Sequence, residues 1–275
     1  MSSSERPYFE IANPEIPRIL QKLPGGLHVL DVGCGSGVHG AELKRIHGHR
    51  VVGVDLSEQS VAKAKSRLAE AYVADVTLPE QYPFFGARSF DVIVFSDILE
   101  HLYAPLDVLA RHYQLLAPGG HILISLPNIA IWNVRLEILA GRFEYTDTGT
   151  LDRTHIRFFT RKSFRRFTND AGLQIVSSRI TPGILRPFVP LIKKIYNRGP
   201  QAAGETDSSS IMDSPAYQLY MKTFYPVERA ICSLWPGMLA FQFVILAQPA
   251  GSMVRELRAL QNSVAAGEVM EKQTQ

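Results

Sequence analysis

Val29-Leu30-Asp31-Val32-Gly33-Cys34-Gly35-Ser36-Gly37 is an apolar run that breaks into alternating glycines, and the pattern from Val38 to about Ile46 reads as a helix. A strand passing into a helix through glycines is a nucleotide-type turn. Glycine permits positive φ, and its missing Cβ lets the backbone approach a ligand. The helix that follows presents unpaired N–H groups and partial positive charge. The dinucleotide fingerprint sets its third glycine three positions after the second. That position is Val38 here, and Gly37 stands one residue earlier, so the spacing fits a dinucleotide poorly. A tight turn without a ligand is the plainer alternative; the residues further along that fall into step weigh against it.

Leu27 to Val32 is the strand that enters this turn, and Arg50 to Val54 is a second. Ser57 caps a helix to about Leu68, Tyr72 to Ala74 is short and strand-like, and Asp91 to Phe95 is a buried strand. Pro105 to Leu116 reads as a helix closed by Pro118-Gly119-Gly120, before a strand over His121 to Leu126. Continuous apolar strands alternating with helices predict an α/β fold with a sheet covered on both faces. Right-handed crossovers make the doubly wound sheet the simplest topology.

Past Pro127-Asn128 the spacing predicts a helix over Ile129 to Ala140, a polar loop over Gly141 to Asp152, a helix over Thr160 to Ala171 closed by Gly172, and a strand over Leu173 to Ser178. Prolines then interrupt the core from Pro182 to Pro236. A Ser-rich tract over Gly199 to Ser214 has too little apolar content to fold by itself. Phe241 to Ala247 is the last strand. The expected organisation is one domain over residues 1–250, with an insertion at about 180–240 that caps the substrate pocket, and a C-terminal tail over 251–275.

The 275 residues carry 29 Lys+Arg against 26 Asp+Glu, a net charge of +3, with an apolar share of 46%. So small a positive excess gives no case for a nucleic-acid partner. The two cysteines, Cys34 and Cys232, form no CxxC pair, which suits a reducing, cytoplasmic setting. The polar Met1 to Glu10 lacks the apolar core of a signal peptide. The longest apolar stretch, Met238 to Ala247, is shorter than the roughly 20 residues that span a bilayer. No group of residues has metal-ligand spacing, so no metal is expected.

Asp55 ends the second strand about twenty residues after the glycines, where a carboxylate can accept both hydroxyls of a ribose; it can equally supply negative charge to the next helix. Asp75 follows the third strand and could meet an adenine amino group. Ser96 and Asp97 follow the fourth. The ends of successive strands thus converge on one crevice.

The ordered series VLDVGCGSG (29–37), VVGVDLS (51–57), VADV (73–76), FDVIVFSDILEHL (90–102) and LLAPGGHILISLPN (115–128) resembles the motif set of class I S-adenosylmethionine-dependent methyltransferases. The resemblance implies S-adenosyl-L-methionine as cofactor. It implies a seven-stranded sheet in the order 3-2-1-4-5-7-6, with Phe241 to Ala247 antiparallel between its neighbours. Asp31, Gly33, Gly35 and Gly37 would surround the methionine part of the cofactor. Asp55, with Leu56 beside it, would bind the ribose, Asp75 and Val76 would hold the adenine, and Ser96 would lie by the sulfonium. The segment from Leu126 to Thr160 resembles a subset of these enzymes from polysaccharide and ubiquinone-type pathways. That suggests O-methylation of a small-molecule, glycan or lipid-linked acceptor, against the alternatives of N- or C-methylation or a non-catalytic partner protein on the same fold.

A sulfonium is already a good leaving group, so the protein must chiefly align the acceptor, which can account for roughly 7–11 kcal/mol of a barrier. A hydroxyl acceptor gains further from a base, and histidine is suited near neutral pH. The candidates are His101, just after the fourth strand, and His155, in a polar segment expected to fold over the crevice; each has packing and backbone bonding as its plainer role. Asn128 could bond an acceptor or shape a turn with Pro127. Arg153 and Arg157 could clamp an anion or pair with Asp147 and Asp152. Residues 184–198 mix apolar side chains with four cations and could touch an anionic membrane surface, although Pro187 and Pro190 break a continuous helix and favour a hydrophobic cap.

Overall fold

A computed structural model describes residues 12–185 and 215–250. Its seven strands are β1 (His28–Val32), β2 (Arg50–Asp55), β3 (Glu70–Val73), β4 (Phe90–Ser96), β5 (Leu116–Pro127), β6 (Leu173–Pro182) and β7 (Ala240–Pro249). They form one sheet in the order β3-β2-β1-β4-β5-β7-β6. The pairs from β3 through β5 are parallel, while β7 is antiparallel to both β5 and β6. This is the order and the strand direction expected from the motif series. The chain reverses its winding between β1 and β4, which opens a crevice at their carboxyl ends.

Helices cover both faces, as the apolar strands require. On one face α1 (Glu15–Leu20), α2 (Val38–His47) and α3 (Glu58–Arg67) pack with Val29, Val51, Val92 and Leu123. On the other, α4 (Pro105–His112) and α6 (Arg161–Asp170) pack with Leu30, Val32, Ile93 and Phe95. Each fully buried side chain of this size stabilises the fold by about 1.5–3 kcal/mol. Ser57 caps α3 by accepting a 3.2 Å bond from the Ser60 N–H, and Thr160 and Ser163 form a reciprocal cap on α6. The short α5 (Trp132–Leu139) follows β5.

Several boundaries differ from expectation. The helix read over Pro105 to Leu116 ends at His112, and a 3-10 turn over Tyr113–Leu115 leads straight into β5. Pro118-Gly119-Gly120 lies inside that strand rather than before it. A register shift between Phe90 and Val92 admits the segment there, at the kind of irregularity where a proline without an N–H is tolerated. β6 and β7 also outrun their sequence signals, because their pairing continues from Leu173↔Pro249 to Pro182↔Ala240.

The described end of the 180–240 segment holds α7 (Pro215–Leu234) and the single turn α8 (Pro236–Leu239). α7 continues past Pro226, which removes one helical hydrogen bond, because polar anchors hold it beside that residue. The Tyr225 hydroxyl donates a 2.9 Å bond to Glu15, and Glu228 accepts from the Leu185 N–H at 2.9 Å and from the Tyr220 hydroxyl at 2.6 Å. Glu15, fully buried, also receives Arg18 at 2.8 Å and Arg179 at 3.1 Å. The Ser-rich tract, nearly all of 184–198 and the tail over 251–275 lie outside the described residues. Among the described residues no helix is long and apolar enough to cross a membrane.

Candidate functional site

The turn after β1 is built from left-handed glycines, with φ of 73° at Gly33, 51° at Gly35 and 80° at Gly37. Gly33 has a second constraint. A Cβ there would stand 2.8 Å from the Ile98 side chain, so the turn and the segment after β4 press directly on each other. Gly53, in β2, plays a part the sequence reading did not assign: a Cβ there would lie 2.6 Å from Cys34 Sγ. Its absence lets the buried Cys34 seat the turn against β2. The N–H groups of Gly33 and Cys34 both donate to the Val54 carbonyl, at 2.9 and 3.0 Å.

Asp55 joins the turn to the end of β2. Its Oδ2 accepts from the Gly35 N–H at 2.8 Å and its Oδ1 from the Ser57 N–H at 2.9 Å. Each carboxylate oxygen carries two lone pairs, so one on each remains for a diol. Leu56, next in the chain, is 70% exposed, an apolar surface beside that carboxylate. No side chain caps α2, whose N-cap is Gly37; its first-turn amides are available to an anionic group. Asp75 Oδ1 accepts from the Thr77 N–H and hydroxyl, both at 2.8 Å, which leaves Oδ2 for another donor. Val76, Asp31 and Ser96 are buried. A cofactor with a carboxylate, a ribose diol and an adenine suits this donor and acceptor set.

At the end of β4, Asp97 is, among the described residues, the non-glycine residue with positive φ, 53°. A network holds it there. Its Oδ1 accepts from Gln242 Nε2 at 2.6 Å, and Ser96 and Ser125 donate to Oδ2 at 3.2 and 3.5 Å. The Gln242 carbonyl accepts from Asn13 Nδ2 at 3.1 Å and from the Thr181 hydroxyl at 3.3 Å. Asn13 and Gln242 were missed in the sequence, because nothing local marks a residue whose partners lie on β4, β6 and the chain before α1.

His101 and His155 come together, with ring centroids 4.7 Å apart at 73°. The 3-10 turn Leu99–His101 carries the first, and the polar segment before α6 carries the second, its Ile156 and Arg157 N–H groups donating to the Glu100 carbonyl at 3.0 Å. Burial pushes both imidazoles below their ordinary pKa, and for His155 the neighbouring His101 adds to the effect; both are neutral near pH 7. His101 Nδ1 lies 3.2 Å from the Thr154 carbonyl and His155 Nδ1 3.2 Å from that of Thr150. Beside them is Glu100, a further residue the sequence did not single out: fully buried, with neither carboxylate oxygen hydrogen-bonded. Its pKa is raised well above the carboxylate range, first by burial and then by the charge of Asp97.

Two side chains, Asn128 and Arg153, take the plainer of their expected roles, and Arg157 takes neither. Asn128 is fully buried, donates to the Ala240 carbonyl at 2.9 Å and accepts from the Ala130 N–H at 3.1 Å, so it shapes the turn after β5 rather than meeting an acceptor. Arg153 pairs with Asp147 at 2.8 Å on the surface. Arg157 does not pair with Asp152; it donates to the Leu102 and Tyr103 carbonyls.

The model of the methyltransferase domain family matches residues 5–178. A ubiquinone biosynthesis O-methyltransferase from Idiomarina loihiensis is 33% identical over 161 residues, which are 55% of this chain and 63% of that protein; the match therefore spans less than two thirds of the relative's length. Among solved structures, a SAM-dependent methyltransferase from Archaeoglobus fulgidus superposes with a TM-score of 0.51 at 16% identity, covering 85% of this chain and 92% of the other. Magnesium protoporphyrin IX methyltransferase from Synechocystis PCC 6803, with bound SAH, gives 0.50 at 15% identity, covering 86% and 81%. These structural likenesses concern the fold.

Proposed function

The chain belongs to the class I S-adenosylmethionine-dependent methyltransferase family, and on that premise we propose that it methylates the oxygen of a small-molecule, sugar or lipid-linked acceptor held beside the end of β4. The observation that carries this reading is the bond from the Gly35 N–H to Asp55, which joins the glycine turn and the β2 carboxylate into one cradle. S-adenosyl-L-methionine is the cofactor; when bound it supplies a methyl group on a sulfonium that leaves readily. In this reading Asp31, Gly33, Gly35, Gly37 and the uncapped end of α2 hold its methionine part. Asp55 and Leu56 hold the ribose, Asp75 and Val76 the adenine, and Ser96 lies by the reacting centre. The O-methyltransferase relative supports oxygen as the atom modified.

In this reading the polar segment that carries His155, whose Ile156 and Arg157 N–H groups bond to the Glu100 carbonyl, lies beside the acceptor. His155, with His101 against it, takes or orients the proton of the acceptor hydroxyl. Its neutral state leaves a ring nitrogen able to accept that proton. The apolar side chains and four cations in the sequence of residues 184–198 support a peripheral contact with an anionic membrane surface.

The test is mass spectrometry of products formed from labelled S-adenosyl-L-methionine with hydroxyl, amine and lipid-linked acceptors. Label on oxygen is the expected result, and label confined to nitrogen or carbon would overturn the choice of atom. Co-sedimentation with anionic vesicles, lost when the basic residues of 184–198 are replaced, tests the membrane contact.

A further inference from the structure

We propose that Glu100, His101 and His155 together bind a divalent first-row transition cation of the manganese, cobalt or zinc class. Each residue offers one ligand atom, and the three lie within 4.8 Å of one another. Around a single ion with bonds of about 2.0–2.2 Å, ligand atoms sit about 3–4 Å apart. His155 Nε2 and Glu100 Oε1 already stand at 3.9 Å, and small side-chain rotations close the rest.

Glu100 is the first independent pointer. A fully buried carboxylate with no hydrogen-bond partner on either oxygen costs several kcal/mol of lost hydration. Every partner it would need is a cation or a donor, and the side chains beside it are two imidazoles.

The imidazoles are the second. Each places Nδ1 3.2 Å from a backbone carbonyl. A neutral ring in that arrangement carries its proton on Nδ1 and its lone pair on Nε2. Outer bonds of this kind orient histidine ligands and raise their basicity at metal centres.

Two imidazole nitrogens and one carboxylate leave several coordination positions open, a set that suits transition cations better than magnesium or calcium, which prefer oxygen ligands throughout. Asp97 and Asp152 add negative charge around Glu100. No sequence spacing signalled the site, because His155 is joined to Glu100-His101 only by the fold.

The cation's role rests on the methyl-transfer reading of the crevice. A bound ion there would hold the acceptor's hydroxyl oxygen and lower the pKa of its proton, which would pass to water as the oxygen takes the methyl group and the sulfonium leaves as a neutral thioether; His155 would then act on the acceptor through the ion and not as the base.

The experiment begins with the full chain stripped by chelator. Mn2+ is titrated and followed by electron paramagnetic resonance, with Zn2+, Co2+ and Mg2+ as competitors. One Mn2+ per chain is expected, displaced by Zn2+ or Co2+ and poorly by Mg2+. Glu100→Gln and His155→Asn should each weaken binding at least about 10-fold, with circular dichroism and cofactor affinity unchanged; His101→Asn replaces either variant that fails to fold. No binding of Mn2+, Co2+ or Zn2+ to the wild-type chain, or equal binding by the variants, would overturn the site. Turnover that survives chelation would overturn its role and leave His155 acting directly. A wild-type chain that takes the cation but not the cofactor would instead sink the methyl-transfer reading.

Discussion

The Gly35 N–H donates a 2.8 Å hydrogen bond to Asp55 Oδ2, so the most mobile residue type in the turn is fixed by the carboxylate that would also receive the ribose. Asp55→Ala removes the diol acceptor and releases the turn together. A charge-assisted bond of this kind is worth about 1.5–3 kcal/mol; a loss of about 2 kcal/mol would weaken the cofactor about 30-fold. Isothermal calorimetry with S-adenosyl-L-methionine measures it, and unchanged affinity would place the ribose elsewhere.

His155→Ala should leave that affinity intact and lower turnover by about 10² or more. Single-turnover rates with saturating cofactor separate the two effects. A variant that loses cofactor instead would show that His155 supports the first pocket.

Gly33→Ala should be damaging for a local reason. Its φ of 73° is strained for an L side chain, and the new methyl would press on Ile98 at 2.8 Å. A loss of about 1–3 kcal/mol is expected, read from urea unfolding. The companion Ile98→Ala in the same background should recover part of it, and failure to do so would assign the whole cost to the backbone.

His112 gives the protein an acid limit. Its ring is buried, bonded to the Val108 carbonyl at 2.8 Å and to the Tyr82 hydroxyl at 3.0 Å, and burial lowers its pKa to about 4. Above about pH 6.5 the ring is neutral folded or unfolded. Below that the unfolded chain takes up a proton the folded chain refuses, and stability falls until about pH 4, by about 3 kcal/mol for this residue. His39, also lowered to about 4 by burial, adds in the same direction. Denaturant melts of the wild type and His112→Gln between pH 7.5 and 4.5 should differ in slope, and parallel curves would refute the assignment.

Glu100 has the opposite sign. Its raised pKa means that the folded chain keeps a proton which the unfolded chain releases above its ordinary value of 4.5, so in chelated protein stability is lost as pH rises from there. Glu100→Gln should lack that loss and melt higher than the wild type at pH 8 in chelator. Equal melting temperatures at pH 8 would mean that the carboxylate is solvated after all.

The positions of the glycine turn, Asp55, Asp75 and Ser96 at or just after strand ends were legible because those signals are local: a strand, its last residue, and the turn that follows. The sheet order came from resemblance, since no local pattern says that β7 enters antiparallel between β5 and β6. Pro118-Gly119-Gly120 was read as a stop because proline and glycine usually are, and only the bulge opposite Phe90 shows how a strand passes through them. α7 was hidden by Pro226, whose cost is offset by Tyr225 and Glu228 reaching partners elsewhere in the chain. Glu100 carried no local signal, because burial is a property of the folded chain.

Gln242 bonds at once to the carboxylate of Asp97, the amide of Asn13 and the hydroxyl of Thr181, and it sits on β7, which follows the other six described strands in the chain. The left-handed backbone at Asp97 lacks its shortest side-chain bond, from Gln242, until that strand arrives. A nascent chain can therefore assemble its glycine turn early, yet the network around Asp97 is complete only when the seventh strand of the sheet has been made.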